Sequence, residues 1–416
     1  MKTPLLQTCL VVAALGLSAC GGGGSDGTAG PVIPPSGQGT LPSVPVGGLA
    51  CDTAAGRVLN VGPGQTLTTP SAAAAVAQDG DVIRIAAADY RGDVATWSRN
   101  NLTICGVGGR ARLFADGGSA GGKAIWVVSG TNITIDSIEF RNAAVPDLNG
   151  AGIRAEHGGW LRVRNSGFYD NENGILTNAG ASRLVIEASE FARNGRGDGF
   201  THNLYVGQID QLTVSGSYFH EARVGHNLKS RARESLIENS YLMDGPTGTA
   251  SYLADFPNGG WVVLRGNLFH KGPNAQNPSA ISFGAEGLAH ATNTLELTHN
   301  TVAITRSGGA FVAAYAGTQS VTLKANLWAG TGNQAVLTGS YASGNATQTG
   351  NVLALASNIP GADNIASPSF WPDATLRTSL DMGSVLDASY VLDAPRPYQL
   401  RSLGGARKAG ALQSAP

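Results

Sequence analysis

An eight-residue phrase recurs along the chain and decides its fold: ITIDSIEF at Ile133–Phe140, LRVRNSGF at Leu161–Phe168, LVIEASEF at Leu184–Phe191 and LTVSGSYF at Leu212–Phe219. Further copies start at Ser235, Val262, Leu295 and Val321. Successive copies start 23 to 33 residues apart. Positions 1 and 3 are mostly aliphatic and position 2 is mostly polar, which is the alternation of a strand. A repeat of this length predicts a stacked solenoid.

Two columns of like residues appear when the copies are aligned. Position 6 is mostly serine or asparagine, and position 8 is mostly phenylalanine. This pattern predicts a bend followed by a second strand, with like residues stacked between coils. A second set of apolar positions recurs between the copies at Ile153, Ile175, Leu204, Leu228, Leu253, Ile281 and Phe311. Coils of this length, with 58 glycines for turns and little room for helix, predict an all-β fold, the right-handed parallel β-helix.

Both ends of such a stack need caps. The run SAAAAVAQ at 71–78 predicts a short capping helix, and DGDVIRI from Asp79 predicts the strand after it. We therefore assign residues 51–346 to the β-helix. The repeat fades beyond Thr347, and we expect residues 347–416 to form an irregular C-terminal cap or flap.

Residues 1–20 predict a targeting segment with an apolar run that is short for a membrane span. Their ending, Leu-Ser-Ala-Cys, resembles the bacterial lipobox, which implies lipidation of Cys20 and a location at the outer membrane. The alternative is an ordinary secretory signal in which Cys20 is incidental. Residues 21–50 are rich in glycine, proline and serine, which predicts a flexible tether.

Two further cysteines, Cys51 and Cys105, lie near the predicted N-terminal cap. An exported compartment permits a disulfide between them, although two free thiols remain an alternative. The net charge is −1, and no basic run occurs. This excludes nucleic acid as an expected partner. We expect a monomer that contacts the membrane only through its lipid anchor.

Two consecutive coils are unusually rich in polar residues: THNLYVG at 201–207 and GHNLKSRAR at 225–233. Because His226 and Asn227 each follow their counterparts by 24 residues, stacking should pair the two histidines and the two asparagines. With Leu204 and Leu228 inward, strand alternation predicts an outward face made of Asn203, Tyr205, Asn227, Lys229 and Arg231.

The next coils add Tyr252, Asp255 and Glu286 to this face, and Arg233 lies beside it. Structural explanations compete for several of these residues. Stacked asparagines can form a self-bonded ladder, stacked histidines can cap turns, and Asp255 can organise a turn. The polar side chains converge on one wall only if the coils stack in the register that the sequence spacing predicts.

The repeat and the polar face together resemble the pectate-lyase-like superfamily of right-handed parallel β-helix proteins, over roughly residues 56–348. The resemblance implies the fold. It leaves the activity open, because the superfamily contains lyases, hydrolases, epimerases and inert adhesins. No dense acidic cluster resembles the calcium site of pectate lyases, so we expect no metal or cofactor, with a calcium requirement left open.

The leading hypothesis is a lyase that cleaves a uronic-acid polysaccharide by β-elimination. This reaction needs a base at C5, a group that neutralises the C6 carboxylate, and an acid for the leaving oxygen. Lys229 is the candidate base because Arg231 and Arg233 lie near it. Arg231 with Asn203 or Asn227 is expected to hold the carboxylate, while the candidate acids are His202, His226 and Tyr205. Asp255 completes the catalytic set, and Tyr252, Arg233 and Glu286 are expected to bind substrate.

Two other functions stay open. A glycoside hydrolase needs two carboxylates, which Asp255 with Glu286 or Asp198 would supply. A non-catalytic envelope protein that binds polysaccharide needs neither arrangement. The substrate or ligand is a polysaccharide in all three cases.

Overall fold

The recurring phrase folds as a corner between two strands. In the first copy, the Ile133–Asp136 strand ends at Ser137, whose φ is 59°, and the Ile138–Arg141 strand follows at once. This is the bend and second strand that the sequence predicted. The computed structural model describes residues 48–180, 182–373, 388–392, 398–402 and 409–412. The predicted targeting segment, Cys20 and nearly all of the tether lie outside the described residues and stay predictions.

Three parallel sheets run the length of the solenoid, which has about eleven turns. Within the described residues, the first sheet contains twelve strands. They are Val58–Val61, Val82–Ala86, Thr103–Val107, Ile133–Asp136, Gly159–Arg164, Ser182–Glu187, Gln211–Ser215, Glu234–Glu238, Trp261–Arg265, Thr294–Thr298, Ser320–Lys324 and Ala346–Thr349.

The second sheet contains ten strands in the described part of the chain. They are Ala95–Trp97, Ala124–Val128, Ala151–Ala155, Asn173–Thr177, Leu204–Val206, Leu228–Ser230, Ala254–Phe256, Ile281–Phe283, Ala310–Ala314 and Ala335–Thr338. This sheet carries the polar face identified from the sequence.

The third sheet has eleven strands among the residues described. They are Asp89–Arg91, Ala111–Phe114, Ile138–Arg141, Gly167–Tyr169, Glu190–Ala192, Tyr218–His220, Tyr241–Met243, Leu268–Lys271, Thr301–Ile304, Leu327–Gly330 and Val352–Leu355. The predicted all-β parallel helix is confirmed.

Stacked phenylalanines form part of the core between the sheets. Phe140, Phe168, Phe191 and Phe219 are fully buried, and their ring centroids are 5.0, 4.5 and 4.6 Å apart in sequence order. The serine and asparagine column lies beside them. Ser189 Oγ accepts a hydrogen bond from the Ser166 amide at 3.2 Å and donates one to the Glu187 carbonyl at 2.8 Å. The buried polar column thus satisfies its own hydrogen bonds.

A single α-helix, Pro70–Val76, occurs in the described residues, together with short 3₁₀ turns at Ala50–Asp52, Ser343–Asn345 and Ala356–Asn358. Thr69 caps the helix by accepting a hydrogen bond from the Ala72 amide at 3.3 Å. Ala73 and Ala77 pack into the core at its N-terminal end. The strand Val58–Val61, which precedes this helix and pairs with Val82–Ala86, was not predicted from the sequence. No described helix has the length and apolar character needed to cross a membrane.

The β-helix continues past residue 346, because Ala346–Thr349 and Val352–Leu355 still pair with the preceding coil. The predicted boundary was therefore placed slightly early. Beyond it, Ile359, Phe370 and Ala411 pack on the outer face of the third sheet. Strands Ala388–Leu392 and Tyr398–Ser402 form an antiparallel pair.

A disulfide joins Cys51 to Cys105, closing a loop with a sequence separation of 54 residues. Both cysteines are buried. Closing a loop of this length stabilises a protein by about 4 kcal/mol on the chain-entropy estimate. We expect the Cys51→Ala/Cys105→Ala variant to unfold at a lower urea concentration than the wild type. Added reductant should lower the wild-type midpoint only. An equal effect of reductant on both proteins would contradict the pairing.

Candidate active site

Successive coils align Tyr205, Lys229 and Asp255 on the outer face of the second sheet. Tyr205 pairs in register with Lys229, Lys229 with Asp255, and Asp255 with Ser282. Leu204 and Leu228 are fully buried in the core, so their neighbours along the strands point outward. The coil registry inferred from the sequence therefore places these side chains on one wall.

Four charged side chains contact one another on this wall. Lys229 Nζ lies 2.7 Å from Glu286 Oε1 and 3.8 Å from Asp255 Oδ2. Arg231 Nη2 lies 2.6 Å from Glu286 Oε2. The sequence placed the arginines near Lys229 as its electrostatic neighbours, but in the structure the ammonium group directly contacts two carboxylates.

Arg231 is held from three directions. Besides Glu286, its Nε donates a hydrogen bond to the Tyr205 hydroxyl at 3.1 Å, and its Nη1 donates to Asn258 Oδ1. Asn258 lies in the turn after the Ala254–Phe256 strand, and its amide nitrogen donates to the Gly287 carbonyl at 2.9 Å. Asn258 was not predicted from the sequence as a residue of the site. The available signal was its position in the FPNGG turn, one coil beyond Arg231.

His202 and His226 stack as their spacing predicted, with ring centroids 4.7 Å apart. The Nδ1 atom of His202 accepts the His226 backbone amide at 2.9 Å, and Nδ1 of His226 accepts the Tyr252 amide at 3.1 Å. Burial, with the nearby positive charges, lowers the pKa of His202 well below its usual value and that of His226 to about 3. Both rings are therefore neutral at pH 7, with the remaining proton on Nε2.

These contacts argue against the predicted role of the histidines as acids. His202 is 1% exposed, so a substrate on the wall does not reach it. His226 Nε2 lies 3.5 Å from Asp255 Oδ2, beside that carboxyl group. His226 is thus placed to orient Asp255.

Asn203 and Asn227 do not lie on the outer face, which corrects the predicted substrate contacts. Both are fully buried. Asn203 Nδ2 donates to Asn227 Oδ1 at 2.7 Å and to the His220 carbonyl at 2.9 Å. The adjoining strands begin only at Leu204 and Leu228, so strand alternation does not extend to these asparagines. They belong to a buried ladder in the preceding turn.

The remaining predicted residues divide between this wall and other surfaces. Tyr252 lies on the wall, 5.4 Å from the His226 ring, and burial together with Tyr315 raises its pKa to about 12. Arg233 instead pairs with Glu234 and lies 3.7 Å from Asp210, at the edge of the first sheet. Asp198 accepts the amides of Phe200 and Thr201 at 2.8 and 3.2 Å, which is turn geometry.

Asp255 is the buried carboxyl group of the wall. Burial raises its pKa to about 6, against the opposing effect of the Lys229 charge. Its Oδ1 atom has no hydrogen-bond partner of standard geometry among the described residues. No cluster of metal-binding side chains was found in the part of the chain that the structure describes.

Comparison with known proteins agrees with this architecture. Residues 113–302 match the family described as the right-handed β-helix region. The crystal structure of pectate lyase Pel9A superposes with a TM-score of 0.56 at 14% identity, covering 88% of this chain and 98% of that one. An alginate lyase from Paenibacillus sp. str. FPU-7 gives a TM-score of 0.49 at 18% identity, covering 67% and 95%. No curated protein matches the sequence. The family match and the likeness to pectate lyase Pel9A therefore show that the protein has the right-handed parallel β-helix fold.

Proposed function

We propose that the protein is a polysaccharide lyase that cleaves a uronic-acid polymer by β-elimination. The observation that carries this proposal is the pair of cations on the outer wall. Lys229 and Arg231 each hold one oxygen of the same carboxylate group, that of Glu286. A wall that binds one carboxylate in this way has the chemistry needed to bind and neutralise the carboxylate of a uronate.

Each step of β-elimination has a candidate group on the wall. Arg231, held by Tyr205 and Asn258, binds the C6 carboxylate and stabilises the negative charge that develops there. Lys229 first releases one ammonium proton to solvent. The resulting neutral amine accepts the C5 proton, and the electrons of that C–H bond form the C4–C5 double bond as the C4–O bond breaks. With both histidines neutral, Tyr205 is the remaining predicted donor of a proton to the leaving oxygen.

The proposal predicts a rise in ultraviolet absorbance when the protein is incubated with the correct uronate polymer. The rise reports the new C4–C5 double bond. The panel should contain polygalacturonate, polymannuronate, polyguluronate and a glucuronate polymer, each with its carboxyl-reduced counterpart as the control. If no acidic polymer in the panel gives a rise in absorbance, the lyase proposal is rejected.

A glycoside hydrolase is the second candidate, and one observation favours it. Asp255 and Glu286 both lie near Lys229 Nζ, yet their pKa values shift in opposite directions. Two neighbouring carboxyl groups whose pKa values move apart can divide the roles of acid and base. New reducing ends without new absorbance in the same panel would favour this activity. Retarded migration in a polymer-containing gel without cleavage would favour a binding protein.

A further inference from the structure

The Glu286 carboxylate occupies the outermost position in the charged cluster. Its side chain is 45% exposed, whereas the side chains of Lys229 and Arg231 are only 11% and 19% exposed. The carboxylate therefore covers the two cations from the solvent side. A ligand that approaches the wall meets Glu286 before it meets either cation.

The backbone that carries Glu286 is firmly attached to the neighbouring coil. The Glu286 amide donates to the Pro257 carbonyl at 3.0 Å, and the Ala289 amide donates to the Asn258 carbonyl at 3.0 Å. Gly284 and Gly287 have φ values of 87° and 91°, which suit glycine and give the segment its tight turns. Only rotation of the Glu286 side chain is needed to uncover the cations, because the backbone can stay in place.

The two cations keep other contacts when that side chain turns away. Arg231 retains Tyr205 and Asn258, and Lys229 retains Asp255. Partial burial alone would raise the pKa of Glu286, but hydrogen bonds from Lys229 and Arg231 outweigh it and lower the pKa. Glu286 is thus an ionised carboxylate at neutral pH, bound to a site that persists without it.

We propose that Glu286 is a built-in substitute for a ligand carboxylate, which an anionic sugar must displace from Lys229 and Arg231 in order to bind. This inference rests on the proposed function in one respect, since it identifies the wall as a uronate site. Because Glu286 is tethered, it competes at a high effective concentration. A sugar carboxylate replaces its contacts one for one, whereas a neutral sugar leaves Arg231 without a carboxylate and Lys229 with Asp255 alone. Glu286 thereby selects carboxylated over neutral sugars.

The Glu286→Gln variant tests this competition. It keeps the size of the side chain and removes the charge. We expect its apparent Kd for D-galacturonate, D-glucuronate or D-mannuronate to fall by about ten-fold relative to the wild type, because the binding-competent fraction rises. The affinity for D-glucose, a neutral sugar, should not be higher in the variant than in the wild type. Ligand-observed NMR titration measures these affinities without any turnover. Glu296→Gln, which changes an exposed glutamate on the first sheet, is the matched control and should behave as the wild type.

Each result decides between the alternatives. An unchanged or weaker uronate affinity in Glu286→Gln would overturn the inference, as would the absence of uronate binding in both proteins. Cleavage of a polymer by the wild type together with an unchanged affinity in the variant would reject the role of Glu286 and leave the lyase intact. Tighter uronate binding in the variant without cleavage of any polymer would support Glu286 as the substitute and reject the lyase.

Discussion

Replacing Lys229 by alanine is expected to lower the rate of polymer cleavage by on the order of 10²-fold or more. The physical reason is that Lys229, as the neutral amine, is the one proposed acceptor of the C5 proton. Once protonated, its Nζ lies 2.7 Å from the carboxylate position marked by Glu286 and stabilises the charge there. Both proton transfer and charge stabilisation at the reacting sugar would be lost. Initial rates from the double-bond absorbance measure the effect.

Two comparisons separate this chemical role from a loss of folding. Lys324→Ala removes an exposed lysine at the end of a first-sheet strand and should leave the rate unchanged. Circular dichroism should show that Lys229→Ala retains its β structure, because its neighbour Asp255 can become protonated when the ammonium group is removed. Wild-type turnover in Lys229→Ala would remove this residue from the mechanism.

Replacing Phe191 by alanine is expected to destabilise the protein by about 3–5 kcal/mol, the usual cost of deleting a buried aromatic ring. Phe191 is fully buried, and its ring stacks on Phe168 at 4.5 Å and on Phe219 at 4.6 Å. Because both neighbouring coils lose a contact, the cavity cannot be filled by a shift of one side chain. The midpoint of urea unfolding measures the change.

Phe200→Ala is the matched control for this substitution. The Phe200 side chain is 80% exposed in a turn, so the same change in residue type should leave the urea midpoint nearly unchanged. Equal midpoints for Phe191→Ala and the wild type would show that the aromatic stack does not stabilise the solenoid.

Most of the fold could be predicted because successive coils repeat the same pattern of buried and polar residues. Aliphatic alternation, the serine or asparagine bend and the buried phenylalanine recur at similar spacing, so each copy supports the interpretation of the others. The Val58–Val61 strand was missed because it precedes the first clear copy of the repeat and lies before the helix. The final strands, up to Val352–Leu355, were missed because their phrases no longer resemble the consensus.

The site was predicted less completely, and the errors have a local cause. Alternation correctly placed Tyr205 and Lys229 outward because both lie inside strands. The same rule failed for Asn203 and Asn227, which precede those strands and turn inward to bond to each other. Arg233 follows the strand that ends at Ser230 and lies in the turn toward the first sheet. Its side chain therefore lies near Asp210 and not on the wall.

The sequence by itself determined the parallel β-helix and the coil-to-coil alignment that brings Tyr205, Lys229 and Asp255 to one wall. It could do so because the repeat spacing and the period of two within a strand are both local properties of the chain. Only the tertiary structure decided that Glu286 joins Lys229 to Arg231 and that Asn258 supports Arg231. Those contacts depend on the paths of turns between strands, where no periodic pattern specifies the direction of a side chain.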